Sequence, residues 1–371
     1  MLHILYASTI IVGLFSKDRA ITVRVRKKHK LKICDFYWIL TAVVMCLLSV
    51  TTTTYTDVDI YTNIFNWTNI KGMTFDTFGW GILCKLFYAA GVNYRGMIVI
   101  VLITSCYIMH RGLQRIDVNE AFVMALMLVM PGAMQVIQIK FFLATSIILY
   151  SLSFILGNCA KKDVVRFSIG IVVATLIHSA SIICVVYLAV LFFEKIDTSK
   201  SILYSMAALI GIVALYKVIP LVAGRFLNPH TFNRYFSGVE IASVNWLIIV
   251  FLSWLLVTIT TWLMYKAGGF RSYNGKPAYK LIFSRGFTCI CLSIIVIPLL
   301  LFDQNFYRLL EVTYIIAYIL FAIYYKTTTN KSKYLLSIVM MIAVLFSFRY
   351  FVIVERILPL FNFDGFVSLL K

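Results

Sequence analysis

The chain has 371 residues, of which 61% are hydrophobic and 13% charged, and its formal net charge is +19. Soluble globular chains are roughly a quarter charged, so this composition excludes a soluble domain of any size and points to a lipid bilayer as the solvent. The positive charge lies between apolar runs and not in a basic domain, which excludes nucleic acid as the partner and fits the Lys/Arg bias of cytoplasmic loops.

Apolar runs approaching the ~20 residues needed to cross ~30 Å of hydrocarbon recur from end to end. A backbone in hydrocarbon must satisfy its own hydrogen bonds, so runs without alternation read as helices. In chain order the pattern predicts about twelve membrane segments, some of them re-entrant, at 2–15, 36–53, 96–109, 119–136, 141–157, 164–177, 180–193, 201–221, 245–265, 284–302, 307–325 and 334–353. The predicted fold is therefore all-α, a polytopic integral membrane protein forming a single transmembrane domain over 1–371. The first segment lacks an early positive charge and a small-residue cleavage site, so it reads as a span and not a signal peptide. Eight cysteines occur, with no CxxC spacing, so neither a zinc site nor a disulfide framework is implied.

Two regions need the charges to settle them. Residues 74–92 carry Phe75, Phe78, Ile82, Leu86 and Phe87 at helical spacing, with Asp76 and Lys85 among them, and read as an amphipathic helix on the outer membrane surface. Residues 164–193 are too many for one upright helix and few for two, with His178 and Ser179 in the middle; they read as a tight hairpin. With both choices the basic loops 17–32, 111–115, 161–162, 195–200, 266–280 and 326–333 fall on one side. These loops hold about 21 of the 34 Lys and Arg, against about 10 on the opposite face, which is the asymmetry of a cytoplasmic side. The longer polar stretches, about 54–95 and 222–244, then become outer-face loops.

No phosphate-binding glycine loop, GxSxG or HExxH is present, which argues against a nucleotide-driven pump. The remaining polar groups gather on or near the outer face. Asp57, Asp59 and Tyr61 form one set, in which two carboxylates two apart suit a metal, a base or simply a solvated loop. Lys140 follows Gln135 and Gln138 at the outer end of a span, where a lysine either snorkels or binds an anion. His178, with Ser179 and Ser181, sits at the hairpin break, where it either moves a proton or bonds a carbonyl freed by the break. Arg225, His230, Arg234 and Tyr235 lie in an outer loop against the positive-inside bias, and arginine is the natural bidentate partner of diphosphate oxygens. Tyr307 and Arg308 lie at an outer mouth, with Glu311 one turn on as an intrahelical ion-pair partner.

The chain resembles the EpsG-like branch of the Wzy-type polysaccharide polymerases. The resemblance covers most of the sequence and rests on AspValAspIleTyr at 57–61, the aromatic surface helix, GlnIleLysPhePheLeuAla at 138–144, LysLys at 161–162, LeuIleHisSerAlaSer at 176–181, AsnArgTyrPheSer at 233–237 and PheTyrArgLeuLeuGlu at 306–311. The family usually has an arginine followed by Gln where this chain reads Ile139-Lys140-Phe141; lysine keeps the charge and loses the planar fork.

The resemblance implies a metal-independent glycosyltransferase of GT-C-like architecture, without a cofactor, at the outer face of a bacterial inner membrane. It implies joining of oligosaccharide repeat units carried on undecaprenyl diphosphate, alongside a flippase and a chain-length regulator. Lys140, Arg225, Arg234 and Arg308 are then expected on the diphosphate, Asp57, Asp59 or His178 as the base, and Tyr61, Tyr235 and Tyr307 on acceptor or sugar. Competing readings are a flippase or other transporter of lipid-linked sugar, a membrane O-acyltransferase and a glycan ligase. A flippase needs polar groups deep in several helices, whereas here the spans between the charged ends are clean.

Overall fold

A computed structural model of the protein describes residues 2–16, 22–26, 29–32, 36–51, 62–63, 65–66, 78–193, 198–226, 232–233, Phe236, 243–268, 278–328 and 332–349. The described chain is helical apart from one antiparallel hairpin, β1 (Thr22–Arg26) and β2 (His29–Lys32), which pairs Thr22 with Lys32 and Arg24 with Lys30. This short hairpin lies within the first basic loop and leaves the fold class helical, as expected. Its cause is local: Val23 and Val25 are β-branched and alternate with Arg24 and Arg26, a period-two pattern that favours a strand.

The helices follow the expected segments closely. In order they are α1 (Leu2–Phe15), α2 (Tyr37–Thr51), α3 (Phe78–Ala89), α4 (Tyr94–Ile116), α5 (Glu120–Ile137), α6 (Ile139–Ile155), α7 (Lys161–Ile177), a 3-10 helix (Ser179–Phe193), α8 (Thr198–Ala214), α9 (Val218–Phe226), α10 (Val244–Ala267), α11 (Ala278–Leu292, running on to Leu299), a 3-10 turn (Gln304–Leu309) leading into α12 (Leu310–Thr327), and α13 (Ser332–Phe348). Among the described residues five helices are long and apolar enough to cross a membrane: Tyr94–Ile116, Glu120–Ile137, Val244–Ala267, Tyr279–Leu299 and Gln304–Thr327. A sixth is added if Lys200–Ala214 and Val218–Arg225, bent by 74°, form one span. The other apolar helices run to 10–17 residues, short of the ~20 that an upright α-helix needs.

The hairpin region 164–193 divides as expected, at His178, whose extended backbone (φ −141°, ψ 106°) ends α7. Its second arm is a 3-10 helix of 15 residues. At a rise of ~2.0 Å per residue such an arm reaches about 30 Å, where an α-helix of the same length reaches about 22 Å.

Contacts between loops define two ends of the bundle. At one end, Asn119 Nδ2 donates to Ser16 O at 2.6 Å, just after α1. Asp117, between α4 and α5, accepts from Tyr279 Oη at 2.9 Å and, through its carbonyl, from Lys326 Nζ at 3.2 Å. Asp163 pairs with Arg166 at 3.2 Å and faces Arg115 at 3.9 Å. The Ala160 N–H, and after it Arg166, holds the Asp163 carboxyl below its ordinary range. Both arginines stack over Phe154. Nearby, Arg285 donates to the carbonyls of Ile155 and Gly157, closing the end of α6. The C-terminal ends of α1, α4 and α12 and the N-terminal ends of α7 and α11, from which the basic loops run, thus share one end.

The opposite end carries α3. Gly79 lies so close to the Leu176 carbonyl that an added Cβ would stand 2.7 Å from it. Trp80 and Cys84 are buried, while Phe78, Ile82 and Leu86 are exposed. The expected apolar stripe is therefore the outward face of α3, and the inward face is a neighbouring one that packs on α7. Phe75 lies outside the described residues.

Close approach of α4, α6 and α7 depends on small residues. A Cβ on Gly112 would stand 3.1 Å from the Tyr150 Cα, and one on Gly170 would collide with Ser151. Gly211, in α8, has nothing within 4 Å. Opposite signs are expected on thermal unfolding of the purified protein in detergent. Gly112→Ala should lower the midpoint through overpacking that costs ~1–3 kcal/mol. Gly211→Ala should raise it slightly, because relief of glycine's chain entropy is worth ~0.5–1 kcal/mol in a helix.

Candidate functional site

Helix breaks build the site. In α5 the ladder is interrupted at Met130 (φ −155°, ψ 121°) and Pro131, which has no amide hydrogen to donate. The helix resumes over Ala133–Ile137 and breaks again at Gln138 (φ −93°, ψ 48°), after which α6 begins. Gln135, Gln138 and Lys140 lie on either side of this second break. All three are buried, Lys140 at 9% exposure and Gln135 at 0%.

A second set comes from the start of α12. Asp303 is buried and caps the 3-10 turn, its Oδ1 accepting the Asn305 N–H at 2.6 Å. That turn carries Tyr307 and Arg308. Tyr307 meets the Trp246 ring edge-to-face at 5.7 Å, and Ser243 caps the helix that begins there by accepting the Trp246 N–H at 3.2 Å. Arg308 is half-buried. One turn on, Glu311 is 0% exposed. It sits in the first turn of α12, where the helix dipole favours an acid, and its Oε2 accepts from Gln135 Nε2 at 3.2 Å. Arg308 stands one turn before Glu311 on the same run of helix, and the hydrogen bond to Gln135 joins that run to α5.

His178 provides the third part. Its amide donates to Ala174 O at 2.8 Å and its carbonyl accepts the Ser181 N–H at 2.9 Å. Its ring meets Phe141, the neighbour of Lys140, edge-to-face at 5.0 Å. The 3-10 helix that follows His178 touches both α6 and the turn bearing Arg308, and α12 touches α6 and the broken part of α5. Gln135, Lys140, His178, Tyr307, Arg308 and Glu311 thus belong to one end of the bundle, opposite the basic loops. This end therefore holds two cations, an imidazole and a buried carboxylate, residue types suited to holding an anion.

Arg225 is exposed in the last turn of α9 and makes no hydrogen bond or ion pair among the described residues. Beyond the bend, Tyr216 stacks on Phe302 at 4.2 Å, and Phe236 meets the same ring at 5.1 Å. Asp57, Asp59, Tyr61, His230, Arg234 and Tyr235 lie outside the described residues. Among those described, no three His, Cys, Asp or Glu side chains gather. Sequence reasoning missed Asp303 and the reach of Glu311 to Gln135. The available signal was a carboxylate inside an otherwise apolar span, which is costly unless it has a partner.

A family model described as the EpsG family matches residues 35–362, which takes in every helix from α2 to α13. No curated protein and no solved structure matches the chain.

The cap on the Arg308-bearing turn is open to test. Asp303→Ala removes the acceptor of the Asn305 N–H and should cost ~0.5–2 kcal/mol, the range for loss of a helix cap. A lowered unfolding midpoint checks this; an unchanged one would show that the turn holds without its cap.

Proposed function

The chain belongs to the EpsG family, and on that premise we propose that it joins undecaprenyl-diphosphate-linked oligosaccharide repeat units into a surface polysaccharide. Family membership gives the general activity, a glycosyltransferase-like polysaccharide polymerase, and the apolar helices make it a membrane protein. The further reading is a GT-C-like bundle of about twelve segments in a bacterial inner membrane, with its active face outside. Convergence of the basic loops at one end supports this orientation, because the positive-inside bias assigns that end to the cytoplasm.

The observation that supports the proposal is that the helix breaks bearing Lys140, His178 and Arg308 all lie at the end away from those loops, on elements that touch one another. Polymer growth requires a hydroxyl of the incoming unit to attack the anomeric carbon of the growing chain. The new glycosidic C–O bond forms as the bond from that carbon to the lipid diphosphate breaks. The diphosphate leaves with the bonding electrons, and fixed cations stabilise its charge as it develops. Lys140 and Arg308 serve this role, with Arg225 and Arg234 assigned to the same diphosphate from the outer loop. The hydroxyl proton passes to one of His178, Asp57 or Asp59 as general base. Tyr307, Tyr61 and Tyr235 are assigned to the sugar and acceptor. A flippase and a chain-length regulator are the partners that such a reaction needs upstream and beside it.

Polymer length in a host that makes the cognate repeat unit tests this reading. Deletion of the chain should leave single repeat units, and its return should restore a ladder. Arg308→Ala that still reaches the membrane should cut polymer formation by ~10²-fold or more, the scale for loss of one charge-stabilising group. Normal polymer from both Arg308→Ala and Arg234→Ala would remove the proposed site.

A further inference from the structure

Glu311 needs a role of its own. It is a carboxylate with no exposed surface, in a segment long and apolar enough to span a membrane. Burying a carboxylate costs several kcal/mol unless charge and hydrogen bonds compensate. The compensation here comes from two directions. Arg308 lies one turn earlier on the same run of helix, and Gln135 donates from α5 at 3.2 Å. Gln135 is itself 0% exposed and sits between the Pro131 break and the Gln138 break. Lys140 follows directly after the second break, buried in the first turn of α6.

We propose that the Glu311–Gln135 hydrogen bond is a positioning device that fixes Arg308 and Lys140 relative to each other, so that both cations meet one diphosphate. This rests on the polymerase reading and deepens it. The argument is geometric. Arg308 and Lys140 come from segments distant in sequence, each beside an irregular stretch of backbone that does not by itself hold a fixed angle. The Gln135 amide and the Glu311 carboxylate form the side-chain hydrogen bond that joins those segments. The charge of Arg308 also acts on the Glu311 carboxylate one turn on, which favours guanidinium positions near that acid. Glutamine at 311 would keep the packing and an acceptor for Gln135 but lose that charge, and methionine at 135 would lose the hydrogen bond itself. Glu311 does not itself touch substrate in this scheme.

The test uses the full chain in lipid nanodiscs with farnesyl diphosphate as a short polyprenyl diphosphate probe. Binding, thermal midpoint and polymer length in the host are read for Glu311→Gln, Gln135→Met, Arg308→Ala and the Glu311→Gln/Arg308→Ala pair. Each of the first two should weaken probe binding roughly tenfold or more, the usual scale for loss of a supporting residue, and should shorten the polymer. Glu311→Gln should add nothing once Arg308 is gone, because a positioning residue acts through the group it positions. A lowered midpoint with unchanged probe affinity and normal polymer per folded protein would overturn the proposal and leave the pair a structural tie. Additive losses in the pair would also overturn it. A wild-type chain that yields no polymer would overturn the polymerase reading and this inference together. Wild-type polymer with a fully active Arg308→Ala would spare the general activity and reject this site.

Discussion

Hydrocarbon offers the backbone no hydrogen-bond partner, and this constraint organises the whole molecule. Where the chain is regular, the helix satisfies its own amides and carbonyls and the side chains are apolar. Where the helix breaks, freed backbone groups must be buried in protein or face a water-filled site. The breaks at Pro131, Gln138, His178 and Asp303 are also where the chain places its polar side chains: Gln135 and Lys140, His178 and Ser181, Tyr307 and Arg308. The same irregularity that is expensive in lipid turns side chains from several helices toward a common end. A bundle of unbroken spans would have no means of gathering them.

The two ends use the same residue types differently. At the end with the basic loops, cations are consumed by the fold. Arg285 donates Nη1 to the carbonyls of Ile155 and Gly157, and Arg166 and Arg115 share Asp163 and lie over Phe154. Tyr279 and Lys326 tie α11 and α12 to the turn at Asp117. These contacts hold helix ends in register, and their exposed members are worth little individually. At both ends a buried acid lies near half-exposed arginine; what differs is that Glu311 lies inside an apolar span and takes its hydrogen bond from Gln135 of another helix, whereas Asp163 takes its bonds from the start of its own helix.

Much of the helical layout was legible because hydropathy reports the solvent directly. Runs such as 2–15 and 245–265 correspond closely to Leu2–Phe15 and Val244–Ala267, and the split of 164–193 at His178 followed from its length, the polar pair His178 and Ser179 and the side on which it puts the basic loops. Other features were hidden for definite reasons. The 3-10 geometry of Ser179–Phe193 leaves no mark in an apolar run, since composition is the same for either helix. The β1–β2 hairpin lay in a stretch read for its charge and not for its alternation. The apolar stripe of α3 was legible, while its second face through Trp80 and Cys84, which is buried against protein, was not, because periodicity locates a stripe without showing what packs on the neighbouring face. Of the candidate site, the residue types at the broken ends were legible, and the link from Gln135 to Glu311 was not. A contact spanning 176 positions has no local signature.

The polar groups at the broken ends bear on what they hold. Lys140 is buried in the first turn of α6, and Arg308 is half-buried in the turn before α12. In the low dielectric of a membrane-spanning bundle a cation is costly, and the cost falls when an anion is bound. An apolar ligand would leave that cost in place, and a neutral sugar would meet it only through hydrogen bonds. On the proposed reading the ligand is a lipid-linked diphosphate, which would meet the cations with charge while its tail lay along the apolar faces of the spans. Such a site favours the reaction only if it grips the departing diphosphate more tightly than the intact substrate, since binding that is equally strong before and during bond breaking contributes nothing to the rate.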